Sequence, residues 1–103
     1  MAERNDKIEK AVALAHDPRD VATPTVLATG SGAVARQILD VAFASGVKVR
    51  QDADLVEVLA ALDVGEQIPI AALAAVAEIL SHVYRWEADR TGRTATATAT
   101  VVS

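Results

Sequence analysis

Apolar and polar positions along this 103-residue chain change their period several times, and each change marks an element. Residues 11–15, Ala11-Val12-Ala13-Leu14-Ala15, form a short apolar run that suits a buried strand. Asp17-Pro18-Arg19-Asp20 is turn chemistry, and residues 25–29 form a second strand rich in β-branched side chains. Gly30-Ser31-Gly32 breaks that strand and starts a helix whose apolar stripe is read as Val34, Ile38, Val41 and Ala42 and whose end is Gly46. Val47-Lys48-Val49-Arg50 alternates with period two and predicts a half-buried strand with Lys48 and Arg50 on its wet face. Asp54, with Glu57 three residues on, predicts a capped helix start before Leu55-Val56-Glu57-Val58-Leu59, and Gly65 is read as its close. Pro69 opens a last helix to about Glu87, with Leu73, Val76, Ala77, Leu80, Val83 and Tyr84 on one face.

This order predicts an α/β fold: a small mixed β-sheet of three or four strands packed with about three helices, in the order β-β-α-β-α-α. Residues 25–49 form a βαβ unit, so its two strands are expected to run parallel with a right-handed crossover. Three segments follow: a disordered N-terminus at 1–8, the folded domain at 9–88 and a low-complexity Thr/Ala tail at 89–103. The tail alternates Thr and Ala from residue 94 and buries little, so an unstructured tail is the favoured expectation. Its period of two keeps a second possibility open, docking as a strand on an open edge of residues 11–15.

Composition sharpens this picture. Hydrophobic residues make up 51% of the chain but aromatics only 3%, so the core is built from Ala, Val, Leu and Ile in thin, closely spaced layers. A net charge of -4 argues against nucleic-acid binding. The absence of cysteine removes disulfides and thiolate metal sites. The apolar runs fall far short of the roughly 20 residues that span a bilayer, so no membrane insertion and a cytoplasmic location are expected.

The sharpest local motif is Gly30-Ser31-Gly32-Ala33-Val34-Ala35, a G-x-G-x-x-A after a strand, with Asp52 and Asp54 about 20 residues on. A small nucleotide- or phosphate-binding protein using residues 30–35 is therefore the alternative function. The chain is too short for a second mononucleotide-binding half, and glycines also serve simply to turn a strand into a helix. His16 and His82 lack ligand spacing, and neither Ser31 nor Ser81 is spaced for a triad. No cofactor, metal or catalytic group is expected.

Taken together, Ala11-Val12-Ala13-Leu14, the run from Pro24 to Gly32, Val49-Arg50-Gln51-Asp52, Asp54-Leu55-Val56, Val64-Gly65-Glu66-Gln67-Ile68-Pro69 and Ala75-Val76-Ala77-Glu78-Ile79-Leu80 stand in an order that resembles the C-terminal cytoplasmic domain of the flagellar and type III export switch family, the FlhB, YscU, SpaS and HrcU group. The resemblance spans about residues 10–86. It implies a non-enzymatic binding module that engages export substrates or export-gate components. The leading rival reading is a stand-alone regulator that competes with or replaces the export-gate domain without serving the flagellum. In the family an Ala-Pro pair before the second strand and an Ala-x-x-Leu step on the last helix form an apolar pocket, matched here by Thr23, Pro24, Ala77 and Leu80. Thr23 for Ala makes that rim more polar. Thr29 stands where the family commonly carries lysine. In the family a membrane domain precedes this one, and a strand before the cleavage loop pairs beside the one matched by residues 11–14. The family's Asn-Pro-Thr-His loop falls, counted without gaps, on Asp6-Lys7-Ile8-Glu9, so the sequence looks like a stand-alone, non-cleaving form.

Asp6 lacks the side-chain amide with which the family's asparagine attacks its own backbone. Aged, purified protein is therefore expected to give a single full-length mass by mass spectrometry, and a break near Asp6 would contradict this reading.

Overall fold

The computed structural model describes residues 9–16, 24–91 and 97–103, and the side chains of all of these but 83–91 and 97. Its elements are β1 (Lys10–His16), β2 (Thr25–Ser31), α1 (Ala33–Ala44), β3 (Lys48–Gln51), α2 (Ala53–Ala60), α3 (Ile70–Thr91) and β4 (Ala97–Val102). The strands form one sheet in the order β2-β1-β4-β3. β1 is antiparallel to both its neighbours, and β3 is parallel to β4. The fold is the expected α/β class with a mixed sheet, and its first six elements follow the expected order. β2 and β3 point the same way, as a βαβ unit requires, but β1 and β4 lie between them.

β4 corrects the expectation of an unstructured tail. Residues 97–102 fill the edge of β1 and also carry β3. A Thr-Ala repeat cannot choose its own register, because a slip of two residues preserves its pattern. The end of the strand chooses it. Val101 turns into one face of the sheet and Val102 into the other, and both are buried. The Ser103 hydroxyl accepts from the N–H groups of Glu9 (3.1 Å) and Lys10 (3.2 Å), and the Ser103 N–H donates to the Lys10 carbonyl (3.1 Å). The Asp52 N–H donates to the Val102 carbonyl at 2.8 Å. The expectation of disorder at 1–8 falls outside the described residues.

The sheet is covered on both faces. Val12, Leu14, Val26, Ala99 and Val101 form a core with Leu55, Val56 and Leu59 of α2 and with Val76, Ile79 and Leu80 of α3. On the opposite face Ala11 and Val102 pack against Ala35 and Leu39 of α1. The inward stripe of α1 is Ala35, Leu39 and Ala42, while Val34 and Val41 are exposed. Ala42 and half-buried Ile38 keep their predicted inward place, while Ala35 and Leu39 replace Val34 and Val41. The floor beneath α1 includes Ala11 and Gly30, so the face with the smallest side chains approaches closest.

Other boundaries move for local reasons. The cap of α2 is Asp52, whose carboxylate accepts from the Leu55 N–H at 3.0 Å, while Asp54 sits in the first turn. α2 ends at Ala60, so Gly65, at φ 89°, turns the following loop rather than closing the helix. α3 buries Ala72, Val76, Ile79 and Leu80; Ala77 is exposed. Buried Ile68 fixes this phase, since the next inward positions lie four, eight and eleven residues on. Gly46 behaves as predicted: at φ 72° it lets the Val47 N–H reach the Ala42 carbonyl (2.8 Å) while its own N–H reaches that of Phe43 (3.3 Å).

If the valine end of β4 sets the register, Val101→Ala lowers stability by about 2 kcal/mol, from lost methyl groups and the cavity they leave. Thr98→Ala, at a half-buried position, is expected to cost under about 1 kcal/mol. Denaturant unfolding of the two variants checks the order.

Candidate partner-binding surface

Of the residues matched to the family's apolar pocket, Thr23 lies outside the described residues. Pro24 is buried just before β2, and its carbonyl accepts from the Ile68 N–H at 2.9 Å. Ala77 is exposed on α3. Leu80, one turn on, is 3% exposed and belongs to the core cluster that also holds Val26 and Ile68. A small exposed residue beside a buried leucine leaves a shallow apolar step on the helix.

The α2–α3 loop covers part of the outer edge of β2. The Val26 N–H donates to the Glu66 carbonyl (3.0 Å), and the Gly65 N–H donates to the Val26 carbonyl (2.8 Å). Thr25 and Gln67 form an antiparallel bridge. Gly65 then turns the loop away, and the Asp63 N–H, bonded to Glu66 Oε1 at 2.8 Å, holds that turn.

A second apolar surface had no clear signature in the sequence. Ala13 pairs with Ala28 and Leu14 with Val26, so Leu27 is an extra residue, a bulge. The bulge brings Leu27 and Ala28 to the same side. With Ala13, Val34, Val41 and Val47 they line a groove of about 450 Å³ between α1 and the sheet. Leu27, Val34 and Val41 are 50%, 49% and 64% exposed. The available signal was the spacing of Val34 and Val41, but helical periodicity alone assigned both to the core.

Gly30-Ser31-Gly32 has a packing role. A Cβ on Gly30 would collide with Val34 Cγ1 and crowd Ile38. Gly32 holds φ 59°, and its N–H donates to the Glu9 carbonyl at 2.9 Å, so that donor is already engaged.

A mixed four-stranded sheet clad by helices on both faces, with exposed apolar ground at its margins, defines a small α/β domain. The sequence model of the FlhB HrpN YscU SpaS Family matches residues 8–83, from the start of β1 through most of α3, and the chain belongs to that family. Its relatives include the uncharacterized protein YlqH of Bacillus subtilis, 45% identical over 78 residues that make up 76% of this chain and 84% of that one. The flagellar biosynthetic protein FlhB of Yersinia enterocolitica is 36% identical over 83 residues, and FlhB of Escherichia coli K12 is 34% identical over 86. The chain spans 22% of the length of each FlhB protein. Among the described residues, no helix is long and apolar enough to cross a membrane.

The close contact of Gly30 with Val34 is testable by a double-mutant cycle. Gly30→Ala overpacks the strand–helix contact and is expected to cost about 1–3 kcal/mol. Val34→Ala removes the obstructing methyls at a half-exposed position. The two changes together are expected to be less destabilising than the sum of the singles, measured by chemical unfolding.

Proposed function

We propose that this domain is a non-enzymatic binding module of flagellar or type III protein export. It engages export substrates or components of the export apparatus through its apolar surface, and it acts in the cytoplasm. The observation that carries this reading is the family match over residues 8–83, together with the similarity to two flagellar biosynthetic proteins. The shape of the surface supports it. The Pro24 carbonyl accepts from the Ile68 N–H, Ala77 is exposed on α3, and Leu80, one turn on, shares the core cluster with Ile68. An apolar contact this shallow suits transient engagement, in which a partner must be released after it is read.

The burial of each residue chooses the experiment. Pro24 and Leu80 are buried, so charged substitutions there would disturb folding as well as binding. Ala77 is exposed, so Ala77→Asp leaves the fold intact while placing a charge on the step. Calorimetric titration of purified export substrates and soluble export-apparatus components against both forms is expected to show affinity lowered about tenfold or more, a loss of at least about 1.4 kcal/mol. Normal binding of every partner by folded Ala77→Asp would dismiss the step as the contact.

A further inference from the structure

Beyond that reading, and independent of it, we propose that the outer edge of β2 at Thr29 and Ser31 is a strand-addition site that takes an extended segment of a partner protein. The hydrogen-bond pattern itself assigns the direction of each backbone group. Val26 gives both its N–H and its carbonyl to the α2–α3 loop, so it faces outward. Its partner on β1 is Leu14, and the bulge at Leu27 follows. Past the bulge the ladder alternates. The Gly32 N–H bonds the Glu9 carbonyl, so Gly32 faces β1, and with it Gly30 and Ala28. Thr29 and Ser31, between them, face away. Among the described residues no backbone bond reaches either from outside the sheet, because the loop that covers Val26 has already turned off at Gly65.

The two ends of the sheet differ in how they treat an exposed edge. β3 presents Lys48 and Arg50, and charged side chains discourage pairing. The Arg50 guanidinium also reaches Glu78 at 3.5 Å. The open part of β2 reads Leu27-Ala28-Thr29-Gly30-Ser31, without a charge. A cleft of about 330 Å³ runs beside it, lined by Thr29, Gly30 and Ser31 of the strand, by Ala60 and Ala61 at the end of α2, and by Lys10 and Glu57, whose ammonium and carboxylate pair at 2.7 Å. An added strand would continue the line begun by residues 65–68. Its alternate side chains would enter this cleft, and the others would lie toward half-exposed Leu27 and Val34. The occupant is therefore an extended peptide with apolar residues alternating with small polar ones, held through its backbone.

The test is amide hydrogen exchange of the full chain with a synthetic heptapeptide of alternating valine and threonine, against the same peptide N-methylated at alternate amides. With peptide at ten times its Kd, the Thr29 and Ser31 amides are expected to exchange about tenfold more slowly, and the N-methylated peptide to have no such effect. Slowing confined to residues 48–51, no slowing, or equal slowing by the N-methylated peptide would overturn the proposal. Thr29→Pro removes the outward N–H without touching the β1 ladder, so this variant is expected to fold and to lose the protection at Ser31. A folded Thr29→Pro chain that kept the slowing at Ser31 would equally overturn the proposal.

Discussion

Every pairing that joins β3 to the rest of the sheet passes through β4, which bonds antiparallel to β1 on one side and parallel to β3 on the other. The helical layers depend on this double ladder. α1 spans from the end of β2 to the start of β3, and α3 packs over β4. Val101 and Val102, adjacent in sequence, enter opposite faces and so tie the core beneath α2 and α3 to the core beneath α1. A strand made largely of threonine and alanine holds this position because its backbone bonds are satisfied on both sides, while two valines and the Ser103 contacts fix its register.

Small side chains set the second constraint. With few aromatics, the layers close only if helix and sheet approach nearly to backbone contact, and the pairing of Gly30 with Val34 shows how near α1 comes. Close docking of Ala35 and Ala42 rotates the larger Val34 and Val41 out of the core. The same rotation that completes the packing therefore leaves an apolar groove beside α1. Here close packing and an exposed apolar groove have one cause.

Much of the remaining interaction chemistry gathers around β2. Its first residues are covered by the α2–α3 loop, its bulge carries Leu27 into the groove, and among the described residues no backbone bond from outside the sheet reaches its last ones. An edge strand can serve in this way because only one of its sides is needed to hold the sheet together. The family's export reading and the strand-addition reading thus draw on different parts of the molecule: a side-chain step on α3 and backbone groups on β2.

What the sequence determined by itself is the local grammar. Residues 11–14 and 25–29 were legible as strands from their apolar and β-branched runs, α1 from Gly30-Ser31-Gly32 and Gly46, and the last helix from Pro69, because these signals act over a few residues through dihedral preference and hydrogen-bond capping. The ordered motifs also sufficed to place the chain in its family. The tertiary structure alone decided which faces turn inward, as at Ala35 over Val34 and Ile79 over Ala77, since periodicity marks neighbouring stripes without ranking them against a floor not yet built. It alone decided the bulge at Leu27 and hence the groove. It also decided the fate of the Thr/Ala repeat, whose composition favours disorder until two other strands offer it hydrogen bonds from both sides. The period of two within residues 97–102 allowed docking beside residues 11–15, but it could neither choose that pairing over disorder nor record the pairing with β3, because long-range pairing is a property of where the other strands already are.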